Sequence, residues 1–272
     1  MVVSHQEHPD TRPAMIDLRN VTVCRGSTPA LEGLTLTIRE GCHTVVLGPN
    51  GAGKTTLMKL LSSELYPVYR NRTHAKVFGR DRWNVRDLRS QLGILSHDLQ
   101  QDYLPDTRGI NVILSGYYAS IDIWKHQEFS EDARTHAGTI MEYLGVGDLK
   151  NRAFGSMSTG QQRRLLLGRA LVNNPRALLL DEPTAGLDPG ASFQYLSAVR
   201  TLMESGKTVI LVTHHIHEVP PEINRAVLLK AGQIFADGPK KEVLTTKNLA
   251  ALFDYPLRVI EENGWYHVIP DR

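Results

Sequence analysis

A 272-residue chain that is 41% apolar can bury a sizeable core, either as one large α/β domain with subdomains or as two small ones. Lys and Arg (31) nearly balance Asp and Glu (29), so the net charge of +2 offers no global attraction for a polyanion, and no nucleic-acid partner is expected. Cys24 and Cys42 make neither a CxxC pair nor a disulfide-dense pattern, and no apolar run reaches the ~18 residues of a membrane span; a reducing, cytoplasmic setting is expected, with any membrane role supplied through a partner.

Residues 1–13 lack the basic-then-apolar order of a secretory signal and read as a flexible tail. From Ile16 to Leu47 the apolar positions fall in short β-rich runs, "IDLRNVTV", "LEGLTLTI" and "HTVVLG", which predict three strands. The third runs directly into "GPNGAGKTTLMKLLSS", where Leu57, Leu60 and Leu61 repeat at helical spacing. Residues 97–159 change character: "GINVILSGYY" and "EDARTHAGTIMEYLGV" predict a helical subdomain inserted in the core. A helix over about 160–172, the strand "ALLLDEP", a helix over 191–204 and the strands "TVILVTH" and "AVLLK" follow. Strands alternating with helices imply a mainly parallel sheet, here within a domain over residues 14–245. A C-terminal extension, 246–272, carries Asn263-Gly264 between two alternating runs, the signal of a β-hairpin.

Gly48, Gly53, Lys54 and Thr55 satisfy G-x-x-x-x-G-K-[ST] between a predicted strand and a predicted helix, the context a phosphate loop requires. Glycines such as Gly51 and Gly53 let backbone N–H groups converge on phosphates, and the following helix adds its positive end. Asn50, Gly51, Gly53, Lys54, Thr55 and Thr56 are therefore assigned to nucleotide binding, with ATP or GTP as ligand. Lys54 acts there as a point charge, and the Thr55 hydroxyl is a ligand for Mg²⁺. The strand "ALLLDEP" ends in two carboxylates, at the sheet edge where ligands gather. Asp181 suits the Mg²⁺ shell; Glu182, one residue on, suits the general base that polarises the attacking water.

"MSTGQQRR" raises a separate question, because Ser158 or Thr159 could simply N-cap the helix beginning near Gly160. The order of motifs decides otherwise. Phosphate loop, helical insertion, "MSTGQQRRLLLGRAL", "LLLDEPTAGLD" and "VILVTHH", in that sequence, resemble the ATP-binding subunits of ABC transporters over about residues 16–244. The resemblance implies a P-loop NTPase of ABC ATPase type: a mainly parallel core, an antiparallel β subdomain and an inserted helical subdomain. It further implies ATP and Mg²⁺ as cofactors, and a second copy or a homologous ATPase as partner, two chains sandwiching two ATP molecules head to tail. Ser158, Thr159, Gly160 and Gln161 then serve the neighbour's ATP, Asp188 signals across the dimer, and His214 is the switch histidine beside the γ phosphate. A membrane permease is the further partner implied, with the chain peripheral at the inner face of the membrane. The tail also resembles those of prokaryotic metal-chelate importer ATPases at a few positions.

Three positions depart from the family pattern. Arg25 stands where an aromatic residue stacks on adenine; an Arg plane also stacks on bases, but a solvated edge-strand Arg is the plain alternative, and the sequence leaves both open. His97 stands where a glutamine links Mg²⁺ to the helical subdomain, with Gln100 nearby as the other candidate. In the signature, Thr159 replaces a glycine and Met157 a leucine. The segment "GYYASIDIWKH" brings together Tyr117, Tyr118, Ile121, Ile123 and Trp124, either to dock a membrane subunit or to form the small subdomain's core. A rival function is a soluble ABC-type ATPase that remodels a nucleic-acid, ribosomal or protein assembly; a phosphate-loop kinase would leave "MSTGQ" and "DEPTAGLD" without a role.

Overall fold

The computed structural model describes residues 12–69 and 71–271, and within them every side chain but that of His97; the proposed tail over residues 1–11 lies outside the described residues. The chain opens with two long strands, β1 (Ala14–Arg25) and β2 (Thr28–Arg39), turning on Gly26 at φ 61°. β3 (Thr44–Leu47) then feeds the glycine loop into α1 (Lys54–Leu61). β4 (His74–Val77), α2 (Val85–Gln91) and β5 (Leu92–Leu95) precede the inserted helices α3 (Gly109–Leu114) and α4 (Glu131–Tyr143). α5 (Thr159–Leu171) returns the chain to the core through β6 (Ala177–Asp181), α6 (Pro189–Glu204) and β7 (Thr208–Thr213). β8 (Arg225–Lys230), β9 (Gln233–Pro239), α7 (Lys240–Val243), α8 (Thr246–Phe253) and the hairpin β10 (Leu257–Glu262) and β11 (Trp265–Pro270) complete it.

The central sheet runs β5-β6-β7-β3-β8-β9; the first five strands are parallel and β9 is antiparallel on the edge. A three-stranded antiparallel sheet, β2-β1-β4, stands beside it. Alternate residues of the central strands belong to two different cores. Leu47, Leu178, Leu180 and Leu211 pack with α3, α4 and α5, whereas Val46, Leu179, Ile210 and Val212 pack with α1 and the antiparallel sheet. Burial on both faces is why these strands read as unbroken apolar runs. The first core also takes in Leu249 and Leu252 of α8 and Tyr266 of β11, so α8 and the hairpin pack on the same core as α3, α4 and α5.

The pattern missed β4, α2, β5, β9, α7 and α8, and for β4 and β9 the reason is local. β4 is four residues with only Val77 buried, and β9 alternates between half-buried and exposed positions on an edge, so neither carries a strong apolar signal. At the hairpin tip Asn263 and Gly264 take φ 52° and 82°, the left-handed pair expected of a two-residue turn. No helix among the described residues is long and apolar enough to cross a membrane.

Candidate active site

Strand β3 ends at Leu47 and the chain turns through Gly51 (φ 81°) and Gly53 (φ 103°) before α1 begins. These backbone angles are the ones that L side chains resist. Gly53 is also hemmed in from behind: a Cβ there would stand 2.7 Å from the Ala30 carbonyl oxygen and 2.9 Å from Leu31 Cδ2. The brace continues through the β8–β9 turn, where Gly232 N–H donates to Ala52 O (2.9 Å) and Glu32 N–H donates to Gly232 O (3.0 Å). The antiparallel sheet thus holds the loop's back, while the N–H groups of the first turn of α1 are left to face a ligand.

A cavity of ≈ 520 Å³ opens over this loop, lined by Asn50, Gly51, Gly53, Lys54, Thr55 and Thr56 together with Arg25, Asp98, Asp181 and Glu182. Lys54 is 7% exposed, and its ammonium donates to the carbonyls of Gly48 (2.7 Å) and Pro49 (3.0 Å), which fixes the charge at the cavity floor. Burial pulls the Lys54 pKa down, against the opposing pull of the Glu182 and Asp181 carboxylates. Asp181 is buried at the end of β6. Glu182 leaves the strand at φ 43°, a conformation unusual for its residue type, and its Oε1 lies 2.6 Å from His214 Nδ1 at the end of β7. The rings of His214 and His215 lie 3.8 Å apart between centroids, tilted by 40°.

The signature segment lies elsewhere. Among the described residues, none of 157–161 lines the cavity. Ser158 is exposed and forms a capping box for α5: its hydroxyl accepts from Gln161 N–H (3.3 Å), and Gln161 Oε1 accepts from Ser158 N–H (3.0 Å). Thr159 begins the helix, and Gly160 packs so closely on α6 that a Cβ would meet Ala191 Cβ at 3.2 Å. Asp188 caps α6 by accepting from Ala191 N–H at 2.9 Å.

The loop after β5 separates the two polar candidates near it. Gln100 turns to Gln162, donating from Nε2 to its Oε1, and does not line the nucleotide cavity; His97's side chain lies outside the described residues. Asp98, which the sequence reading passed over, lines the cavity instead. Its only sequence signal was its place one residue after His97. Of the aromatic cluster, Tyr117, Ile121 and Ile123 pack against the core, Tyr118 lies under the Arg86 guanidinium (4.5 Å), and Trp124 is 60% exposed.

A glycine loop braced over a helix start, with two carboxylates at the end of a neighbouring parallel strand, defines a P-loop ATPase cassette. Residues 31–185 match the ABC transporter family (ABC_tran), and the chain belongs to that family as an ATP-binding, ATP-hydrolysing subunit. It is 34% identical over 249 residues to the uncharacterized ABC transporter ATP-binding protein YlmA of Bacillus subtilis (strain 168), covering 90% of this chain and 93% of the relative. It is 30% identical over 247 residues to the manganese transport system ATP-binding protein MntB of the same organism, covering 91% and 95%. Among solved structures, a dimeric ATP-binding cassette in a post-hydrolysis state with ADP and Pi superimposes with a TM-score of 0.69 at 26% identity, over 83% of this chain and 98% of that one.

Proposed function

We propose that the chain hydrolyses Mg²⁺-bound ATP as one half of a head-to-tail dimer that drives transport through a separate membrane subunit. The observation that carries this is the convergence of the phosphate loop, Asp181 and Glu182 on one cavity that the signature segment does not line. Residues that do not line their own chain's nucleotide cavity are available to a neighbour's. Ser158, Gly160 and Gln161, with the positive end of α5, are assigned to the phosphate held by a second copy, and Asp188 beside them to the communication between chains.

The donor set fits the ion. Thr55 and Asp181 offer oxygen only, as Mg²⁺ prefers, and when bound the metal neutralises charge on the phosphates. Lys54 holds the phosphates electrostatically, and Glu182 accepts the proton of the attacking water. His214, in contact with Glu182, orients that carboxylate and the water it holds. Arg25 borders the cavity as the candidate platform for the base, and Asp98 joins the loop contacts. Trp124, exposed beside Ile121 and Ile123, is the candidate contact for the membrane subunit.

Lys54→Ala is expected to abolish ATP binding, and Glu182→Gln to leave binding intact while hydrolysis falls by roughly 10²-fold or more. Equal loss of binding in both variants, measured by direct ATP titration, would remove Glu182 from the role of base.

A further inference from the structure

Past His214 the chain makes a single 3-10 turn, Ile216–Glu218, whose last residue is 0% exposed. A carboxylate taken wholly out of water is costly unless donors satisfy its oxygens. Glu218 has two, on different elements. The Thr184 hydroxyl donates to Oε1 and the Thr213 hydroxyl to Oε2. Thr184 lies two residues beyond Glu182, in the turn that follows β6; Thr213 is the last residue of β7 and immediately precedes His214. The Thr213 oxygen also accepts the His215 backbone N–H at 2.9 Å, so its donor and an acceptor site are both engaged.

One buried side chain therefore ties together the two backbone segments whose functional side chains meet at 2.6 Å, Glu182 and His214. The tie matters because Glu182 sits at φ 43°, and a non-glycine residue in that region persists only where its surroundings hold it. Arg163 of α5 is 2% exposed and supplies buried positive charge near this cluster. Burial lowers its pKa, opposed by Tyr195, then by Glu218, Asp181 and Glu182.

We infer that Glu218 is a positioning residue for ATP hydrolysis, clasping Thr184 and Thr213 so that Glu182 and His214 meet in the geometry the reaction needs. It is wholly buried and does not line the nucleotide cavity; it acts through the pair. The inference rests on the proposed roles of Glu182 and His214, and it makes a different prediction from them.

Glu218→Ala is expected to lower kcat by about 10-fold or more while the ATP dissociation constant stays within about twofold, since the phosphate loop is not part of the clasp. Glu218→Gln keeps the volume and an amide that can pair with both hydroxyls, so it should recover kcat to within about threefold of wild type. In a His214→Ala background the Glu218→Ala effect should largely disappear, because the pair through which it acts is already broken. An undiminished effect in that background, or parallel loss of kcat and ATP affinity, would overturn the inference. Should Glu218→Ala fail to fold, Thr184→Val and Thr213→Val each remove one donor; unchanged kcat in both would overturn it equally. If Glu182→Gln lowers turnover but Glu218→Ala does not, the clasp fails and the base stands; if Glu182→Gln has no effect, the reading beneath both fails.

Discussion

Replacing Gly53 by alanine tests whether the loop's shape, more than its charge, holds the nucleotide. At φ 103° an L side chain meets a steric cost of about 1–2 kcal/mol from the backbone alone. The new Cβ would also fall 2.7 Å from the Ala30 carbonyl and 2.9 Å from Leu31 Cδ2. Leu31 can rotate, but the carbonyl belongs to β2 and moves only with the sheet, which adds about 1–3 kcal/mol of overpacking. Gly51 is the internal control: it too has positive φ, 81°, yet a Cβ there meets nothing within 4 Å, so only the backbone cost applies. If the loop relaxes in the free protein and must be reshaped on binding, Gly53→Ala should weaken ATP by on the order of 10²-fold or more and Gly51→Ala by about 10-fold, at 1.4 kcal/mol per decade. Isothermal titration with ATP measures this, and thermal unfolding shows how much of the cost appears as lost stability. Equal effects at the two glycines, or ATP affinity within threefold of wild type in Gly53→Ala with unchanged unfolding, would refute the bracing argument.

Mixing Glu182→Gln with Ser158→Ala chains and allowing exchange should restore roughly a quarter of wild-type turnover, since about half the dimers are mixed and each then has one intact composite site of two. Turnover equal to the average of the two parents would mean that Ser158 acts only within its own chain, as the cap of α5. Arg25→Ala should weaken ATP binding and Arg25→Tyr should restore it if the residue is the platform for the base; an unchanged dissociation constant in Arg25→Ala would make it a solvated edge residue.

The sequence by itself determined whatever depends on near neighbours along the chain. The phosphate loop is legible because its glycines, Lys54 and Thr55 act through a local turn and the helix that follows, and the Asn263-Gly264 hairpin because two positive-φ residues suffice to define it. β6 and β7 were legible as apolar runs, since burial on both faces leaves no polar alternation. Tertiary structure alone decided which distant residues meet. Glu182 and His214 touch because β6 and β7 are adjacent in the sheet and end at the same edge, a fact of strand order that neither motif contains. Asp98 faces the nucleotide cavity and Gln100 does not because the 3-10 turn at His97–Gln100 aims successive side chains differently, and four residues of sequence do not set that direction. Glu218 looked like one more charged residue after a strand. Its role depends on two hydroxyls brought to it from separate strand ends, and only the packed sheet supplies both.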